Sequence, residues 1–93
     1  MTAREAAVVD ELLRLAREQL ELDGPPPAPD QPLAGRFDSL QLLTLAVAIE
    51  DRFQVILTDD EAAEASTLLE VARLVMVRAD PARLPGIAGA PPP

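Results

Sequence analysis

The sequence contains no histidine, cysteine, tryptophan or tyrosine, and all of its basic residues are arginine. Histidine and cysteine supply much of the acid–base and covalent chemistry of enzymes at neutral pH. Without cysteine, the chain has no disulfide framework and no thiolate metal site. No plausible acid–base pair stands out among the remaining residues. We therefore expect a protein that is not an enzyme and that binds no metal.

Aromatic residues are almost absent as well, because the 93 residues include only two phenylalanines. The core must then be built from leucine, valine, isoleucine and alanine, which suits packed helices in one small domain. No apolar run reaches the length needed to cross a membrane, and no apolar stretch follows a basic start as in a signal peptide. These absences predict a cytoplasmic protein without a membrane span.

Negative charge predominates, with a formal net charge of -8 at pH 7. Nucleic acids need cationic surfaces to neutralise their phosphates, so we expect no nucleic-acid ligand. A strongly acidic chain favours basic protein partners and stays separate from copies of itself. We therefore expect a monomer that works with other proteins.

Helical patterns occupy four segments of the chain, and three of them begin with a capping box. The boxes are Thr2 with Glu5, Thr58 with Glu61, and Thr67 with Glu70. The pattern predicts an all-α fold, a small four-helix bundle of three longer helices and one short helix, at about residues 3–21, 39–53, 59–65 and 68–77.

A long loop, residues 23–37, follows the first predicted helix. Leu33 and Phe37 are its only large apolar residues, and we expect them to pin the loop to the core. Residues 1–80 are predicted to form the domain, and residues 81–93, which contain Pro and Gly, a flexible tail.

The apolar faces of the predicted helices indicate which side chains form the core. Helix one presents an apolar face made of Val9, Leu12, Leu13, Ala16 and Leu20. The interior between helices two, three and four is predicted to consist of Leu45, Ile49, Phe53, Leu57, Leu68, Val71 and Val75. Leu42 and Ala46 share the core face of helix two.

Helix two also carries a second apolar stripe, formed by Leu40, Leu43 and Val47, with Glu50 and Asp51 near the helix end. A helix with two apolar stripes is either buried on all sides or uses the second stripe for a partner. These five residues are therefore a candidate partner surface. The alternative for the stripe is ordinary packing against the long loop.

The tripeptide Asp38-Ser39-Leu40 opens helix two directly after the loop. Asp38 or Ser39 can cap the helix, because both side chains accept hydrogen bonds from free backbone N–H groups. A serine without a neighbouring base is a poor nucleophile, but a serine at this position is a suitable place for another enzyme to attach a group. The local residues leave both possibilities open: a helix cap alone, or a modification site.

The stretch from Phe37 to Val75 resembles the acyl carrier proteins and related phosphopantetheine-attachment domains. The resemblance rests on three blocks: Phe37-Asp38-Ser39-Leu40 looks like the attachment motif, Ile49-Glu50-Asp51-Arg52-Phe53 is similar to the family's helix ending, and Leu57-Thr58-Asp59-Asp60-Glu61 matches the acidic start of the next helix. Motif, spacing and helix order all agree over this stretch.

This resemblance implies that a phosphopantetheinyl transferase moves 4′-phosphopantetheine from coenzyme A onto Ser39. The thiol at the end of the arm then carries acyl groups as thioesters, so the chemistry belongs to the cofactor. Asp38 matches the aspartate that assists recognition by the transferase, and Leu40 matches the apolar residue after the serine. The further partners implied are acyl-loading and acyl-using enzymes, namely ligases, synthases or transferases.

Two departures from the family pattern concern the surroundings of the serine. Gln41 and Thr44 stand where carriers of the fatty-acid type usually have acids, and Gly35 and Arg36 shift the familiar glycine before the motif. They favour a freestanding carrier of a specialised polyketide, peptide or other secondary pathway, and leave aminoacyl cargo open. The alternative function is a helical docking module that carries nothing. Since the family can shelter acyl chains inside, small residues such as Ala65 and Ala72 are expected to leave room.

Overall fold

The computed structural model describes residues 2–20 and 24–85, and every regular element within these ranges is helical. Three helices span Ala3–Leu20 (α1), Ser39–Phe53 (α2) and Leu68–Arg78 (α4), and a six-residue helix, Asp59–Glu64 (α3), precedes the last of them. Single 3₁₀ turns lie at Leu33–Gly35 and Pro81–Arg83. The predicted all-α class is confirmed.

The helix bounds lie close to those predicted from the sequence. α2 begins and ends as predicted, α3 ends one residue earlier, and α4 continues to Arg78. Glu21, the predicted end of the first helix, lies outside the described residues. None of the helices in the described ranges is both long and apolar enough to span a bilayer.

Capping boxes begin α1 and α3 as predicted. Thr2 Oγ1 accepts from the Glu5 N–H at 3.1 Å, and Glu5 Oε1 accepts from the Thr2 N–H at 2.7 Å. Thr58 and Glu61 exchange the same two bonds. These bonds satisfy N–H groups that have no partner within the helix.

The third predicted box, at α4, is only half correct. The Thr67 side chain accepts from the Glu70 N–H at 3.2 Å. The Glu70 carboxylate, however, accepts from the N–H of Ser66 at 2.8 Å instead of that of Thr67. Glu70 therefore binds the backbone of Ser66, the residue before the cap, and not that of the cap itself.

The core lies where α1 packs against both α2 and α4. Its buried aliphatic and aromatic side chains are Val8, Val9, Leu12, Leu15 and Ala16 from α1, Leu45, Ile49 and Phe53 from α2, and Leu68, Ala72 and Val75 from α4. Of the residues predicted for the core faces of α2 and α4, Leu42, Ala46 and Val71 are not among them and are only partly buried. The predicted core residues Leu57, Leu13 and Leu20 are also partly buried. Val8 and Leu15 were missed, because α1 buries a wider stripe than the sequence pattern indicated.

The loop between α1 and α2 is fastened to the core and to the connection before α4. Leu33 and Phe37 are 4% and 5% exposed, so both pin the loop as predicted. The Leu33 N–H donates to the Ser66 carbonyl at 2.8 Å, and the Leu69 N–H donates to the Pro29 carbonyl at 3.0 Å. These contacts fix the direction in which the chain enters α2.

The segment after α4 includes the start of the predicted tail. Asp80 caps the turn at Pro81–Arg83, its carboxylate accepting from the Ala82 N–H at 2.9 Å. Leu84 then packs against the core. Residues 86–93 of the predicted tail lie outside the described residues, and the domain boundary at residue 80 stays a prediction.

Candidate functional site

Ser39 is the first residue of α2 and is exposed. The residue two before it, Phe37, is buried, and Asp38 between them has an extended backbone with φ -82° and ψ 176°. The chain therefore leaves the core at Phe37 and turns into the helix within two residues. This geometry places the Ser39 side chain at the surface, at the N-terminal end of α2.

Asp38 is the residue that caps α2, and Gln41 completes the cap. Asp38 Oδ1 accepts from the Gln41 N–H at 2.8 Å, and Gln41 Oε1 accepts from the Asp38 N–H at 2.9 Å. Sequence reasoning treated Gln41 only as the place of a missing acid and overlooked this role. The signal was available, because a capping residue followed three positions later by Glu or Gln is the pattern of a capping box.

The hydroxyl of Ser39 makes no hydrogen bond within the described ranges, unlike that of Ser66, the only other serine of the chain. The Ser66 hydroxyl donates to Glu70 Oε2 at 3.2 Å. Among the residues that the structure describes, the bonds at the start of α2 use the N–H groups of Asp38, Gln41 and Leu42, and not those of Ser39 and Leu40. Free N–H groups and the helix dipole favour an anion at this end, so the site fits a phosphodiester on Ser39.

The second stripe of α2, Leu40, Leu43 and Val47, is exposed at the surface and is named the apolar strip below. Its side chains are 72%, 61% and 56% exposed, in that order. This exposure excludes the alternative in which the strip packs against the long loop. Whether a partner binds there stays a prediction.

The two acids at the far end of the strip have different surroundings. Glu50 Oε2 accepts from the Leu57 N–H at 2.9 Å and so ties the end of α2 to the segment before α3. Asp51 is exposed, and its carboxylate makes no hydrogen bond to the residues that the structure describes, whereas its backbone carbonyl accepts from Gln54 Nε2 at 2.7 Å. The sequence placed Glu50 on the partner surface, but its carboxylate also has this structural contact. Asp51 is the acid that points freely to solvent.

An apolar cleft of about 350 Å³ opens beside Ser39. Ser39 and Glu50 are the polar residues of its lining, and the apolar ones include Leu42, Ala46, Ile49, Leu57, Ala65, Val71 and Leu74. Ala65 leaves room here, as expected. Ala72 does not line the cleft, because it is fully buried in the core.

Arg78, at the end of α4, connects α4 with α3 and with the segment that precedes α3. Its Nη1 donates to the Ile56 carbonyl at 3.2 Å and to Glu61 Oε1 at 2.9 Å. Hydrogen bonds from Arg78, and next from the Thr58 backbone, lower the pKa of Glu61. Sequence reasoning did not find this contact, which joins residues far apart in the chain.

The family model for the phosphopantetheine attachment site matches residues 10–75 of the chain. The match covers most of α1 and all of the segment that contains Asp38, Ser39 and α2. The chain therefore belongs to the phosphopantetheine-attachment family, as the sequence resemblance predicted. Members are carrier domains, not enzymes, and hold a covalently attached 4′-phosphopantetheine. No curated protein and no solved structure matches the chain.

Proposed function

We propose that this chain is a freestanding carrier that holds acyl groups as thioesters on a 4′-phosphopantetheine arm attached to Ser39. The main support for the proposal is the difference between the two serines of the matched region in the hydrogen bonding of their hydroxyls. Ser39 is exposed at the start of a long helix with an unengaged hydroxyl, whereas the Ser66 hydroxyl donates to Glu70. When attached, the arm supplies a thiol that this chain lacks.

The residues around Ser39 have distinct roles in this proposal. Asp38 and Gln41 fix the first turn of α2, so the serine is presented in one position to the modifying enzyme. The free N–H groups of Ser39 and Leu40 stabilise the negative phosphodiester through the helix end. A phosphopantetheinyl transferase supplies the base that removes the serine proton, so the chain needs no base of its own.

The cleft beside Ser39 favours aliphatic acyl cargo over aminoacyl cargo. Its lining is apolar apart from Ser39 and Glu50, and the Glu50 carboxylate is engaged with the Leu57 N–H. A charged ammonium group would lose much of its hydration in this largely apolar lining, which costs free energy, and the one carboxylate there, that of Glu50, already accepts from the Leu57 N–H. We expect octanoyl-loaded protein to melt at a higher temperature than unloaded holo protein. Glycyl-loaded protein that is stabilised equally would refute the aliphatic assignment.

The surroundings of the strip favour a specialised pathway. The Thr44 hydroxyl donates to the Leu40 carbonyl at 2.9 Å, and Gln41 is used in the cap, so this half of α2 presents no acid. We further propose that α3 serves as the small fourth helix of a carrier-type bundle, and that the protein acts as a cytoplasmic monomer. Ligases, synthases or transferases that load and use the cargo would be its partners.

The experiment that tests the proposal is treatment with coenzyme A and a broad-specificity phosphopantetheinyl transferase. The chain has no cysteine, so a thiol reagent gives no background signal with the unmodified protein. We expect one reactive thiol per chain and a mass gain of one phosphopantetheine. A folded protein that gains neither would support the alternative, a helical docking module without an arm, which the exposed strip on α2 also allows.

A further inference from the structure

The loop between α1 and α2 contains a proline-rich run, residues 25–29, that is named the proline segment below. The carrier role proposed above makes no use of it. Pro25, Pro26 and Ala28 are exposed, whereas Pro27 among them is buried. One proline ring thus anchors the segment to the domain, while most of its other side chains lie at the surface.

The residue types of the proline segment favour the polyproline II conformation. A proline ring fixes its own φ at about -65° and keeps the residue before it out of the helical region. A polyproline II helix has about three residues per turn, so its side chains form three edges. Pro25 and Ala28 then share one edge, and Pro26 and Pro29 share a second. The third edge carries Pro27, the residue that the structure buries, so the other two edges face outward.

Hydrogen bonds hold both ends of the proline segment in place. At its start, Arg36 Nη2 donates to the Pro25 carbonyl at 2.7 Å. At its end, the Leu69 N–H donates to the Pro29 carbonyl at 3.0 Å. A partner that covers a segment already fixed in this way orders little additional chain, which lowers the entropic cost of binding.

We propose that the proline segment is a docking site for a protein domain with an aromatic-lined groove of the kind that binds polyproline II ligands. Such grooves pack aromatic side chains against exposed proline rings, which the segment offers at Pro25 and Pro26. The carbonyls of Pro26 and Pro27 accept no hydrogen bond from the residues that the structure describes. They can therefore accept from a tryptophan N–H or a tyrosine O–H of the groove. This docking goes beyond the carrier role and does not require the arm.

The charges around the proline segment define the matching surface of the partner. Asp30, directly after the segment, is exposed, and the whole chain carries a net charge of -8. A groove flanked by lysine or arginine is therefore the complementary one, because opposite charges speed encounter and like charges exclude competing domains. Since Arg36 joins the segment to the chain just before Ser39, a domain docked here lies near the start of α2.

The test measures binding of the full chain to isolated SH3 and WW domains whose grooves contain tryptophan and are flanked by a basic residue. The chain has no tryptophan and no tyrosine, so the fluorescence of the groove reports binding without background. We expect saturable binding that the double variant Pro25→Ala, Pro26→Ala weakens at least about tenfold, because it removes the rings that anchor the contact. The matched control is Pro32→Ala, an exposed proline of the same loop outside the segment, which stays within about twofold.

Helical spectra and melting curves show that each variant is folded, and Pro26→Ala alone takes the place of the double variant if that one unfolds. Ser39→Ala is expected to bind as the wild type does, because the segment acts without the arm. No saturable binding to any probe, wild-type affinity in the proline variant, or an equal loss in Pro32→Ala or Ser39→Ala would overturn the docking role. Failure of the wild-type chain to gain a phosphopantetheine would overturn only the proposed function.

Discussion

Gln54 is the residue that turns the chain out of α2 and into the connection before α3. It adopts the left-handed conformation, with φ 56° and ψ 49°, and its N–H donates to the Glu50 carbonyl. Glycine usually occupies this position after a helix, because a Cβ atom is strained there. The glutamine is accepted in part because Nε2 donates to the Asp51 carbonyl at 2.7 Å. The turn buries Val55 and exposes Ile56.

A first prediction compares Gln54→Gly with Gln54→Ala. Both variants lose the side-chain bond to Asp51, and they differ mainly in the cost of the left-handed backbone. We expect the glycine variant to be more stable than the alanine variant by about 1 kcal/mol, in the free energy of unfolding measured with urea. Equal stability, or greater stability of the alanine variant, would show that the left-handed turn is not kept in solution.

At the scale of the elements, Glu5 connects the start of α1 with α4. Its carboxylate accepts from the Thr2 N–H at 2.7 Å and from Arg73 Nε at 2.7 Å. These interactions, the bond from Thr2 first, lower the pKa of Glu5 from the usual 4.5 to about 2. Since the folded form keeps the charge at a pH where the unfolded chain takes up a proton, stability contributed by Glu5 is complete above pH 4.5 and is lost as the pH falls toward 2.

A second prediction follows for Glu5→Gln, which cannot titrate. The variant is expected to be less stable than the wild type at neutral pH but to lose less stability between pH 4.5 and 2. Arg73→Gln should only partly reduce the loss of stability between pH 4.5 and 2, because the bond from Thr2 to Glu5 remains. Melting temperatures across this pH range measure both effects. A Glu5→Gln variant with the wild-type dependence of melting temperature on pH would contradict the lowered pKa of Glu5, and the same result for Arg73→Gln would contradict the pairing of α1 with α4.

The elements also show where sequence reasoning works and where it ends. The bounds of α2 could be predicted because its cap, Asp38, and its last core residue, Phe53, are both visible in the local pattern. The hydrogen-bond partners of Glu50 and Glu70 could not be predicted, because they depend on how the segments around each acid pack in the folded chain. Arg78 donates hydrogen bonds to Glu61 and to the Ile56 carbonyl. These residues lie far from Arg78 in the chain, so no local sequence pattern predicts the contacts.

At the scale of the whole molecule, the attachment motif and the apolar strip are contiguous on one helix, so the sequence could indicate both. The cleft and an open groove beside the apolar strip combine residues from separate elements and needed the packed structure. Leu57 and Ala65 of the cleft flank α3, whereas Val71 lies on α4. After the turn at Gln54, Ile56 lines the same groove as Leu43 and Val47.

A third prediction concerns the role of the apolar strip in recognition by loading enzymes. Val47→Asp places a charge in the apolar strip, whereas Glu50→Gln removes a charge and keeps an oxygen that can accept from the Leu57 N–H. We expect Val47→Asp to weaken loading by a cognate enzyme much more than Glu50→Gln. Val47 is exposed in the apolar strip, whereas Glu50 is only partly exposed, and charges at a surface mainly steer encounter and are screened by salt. Initial loading rates at two salt concentrations provide the measurement.

The outcome depends on variants that remain folded, with wild-type helical spectra. A larger loss for Glu50→Gln than for Val47→Asp would favour electrostatic docking over apolar contact. A strong salt dependence in the wild type that Glu50→Gln abolishes would lead to the same conclusion.

The most direct test of the account is the intact mass of three proteins after treatment with coenzyme A and the transferase: the wild type, Ser39→Ala and Ser66→Ala. Ser66 is the matched control, because it is the only other serine and lies two residues before the start of α4. We predict that the wild type and Ser66→Ala each gain one phosphopantetheine and that Ser39→Ala, with unchanged helicity, gains none. A mass gain that persists in Ser39→Ala, or that is lost in a folded Ser66→Ala, would contradict the assignment of Ser39 as the attachment site.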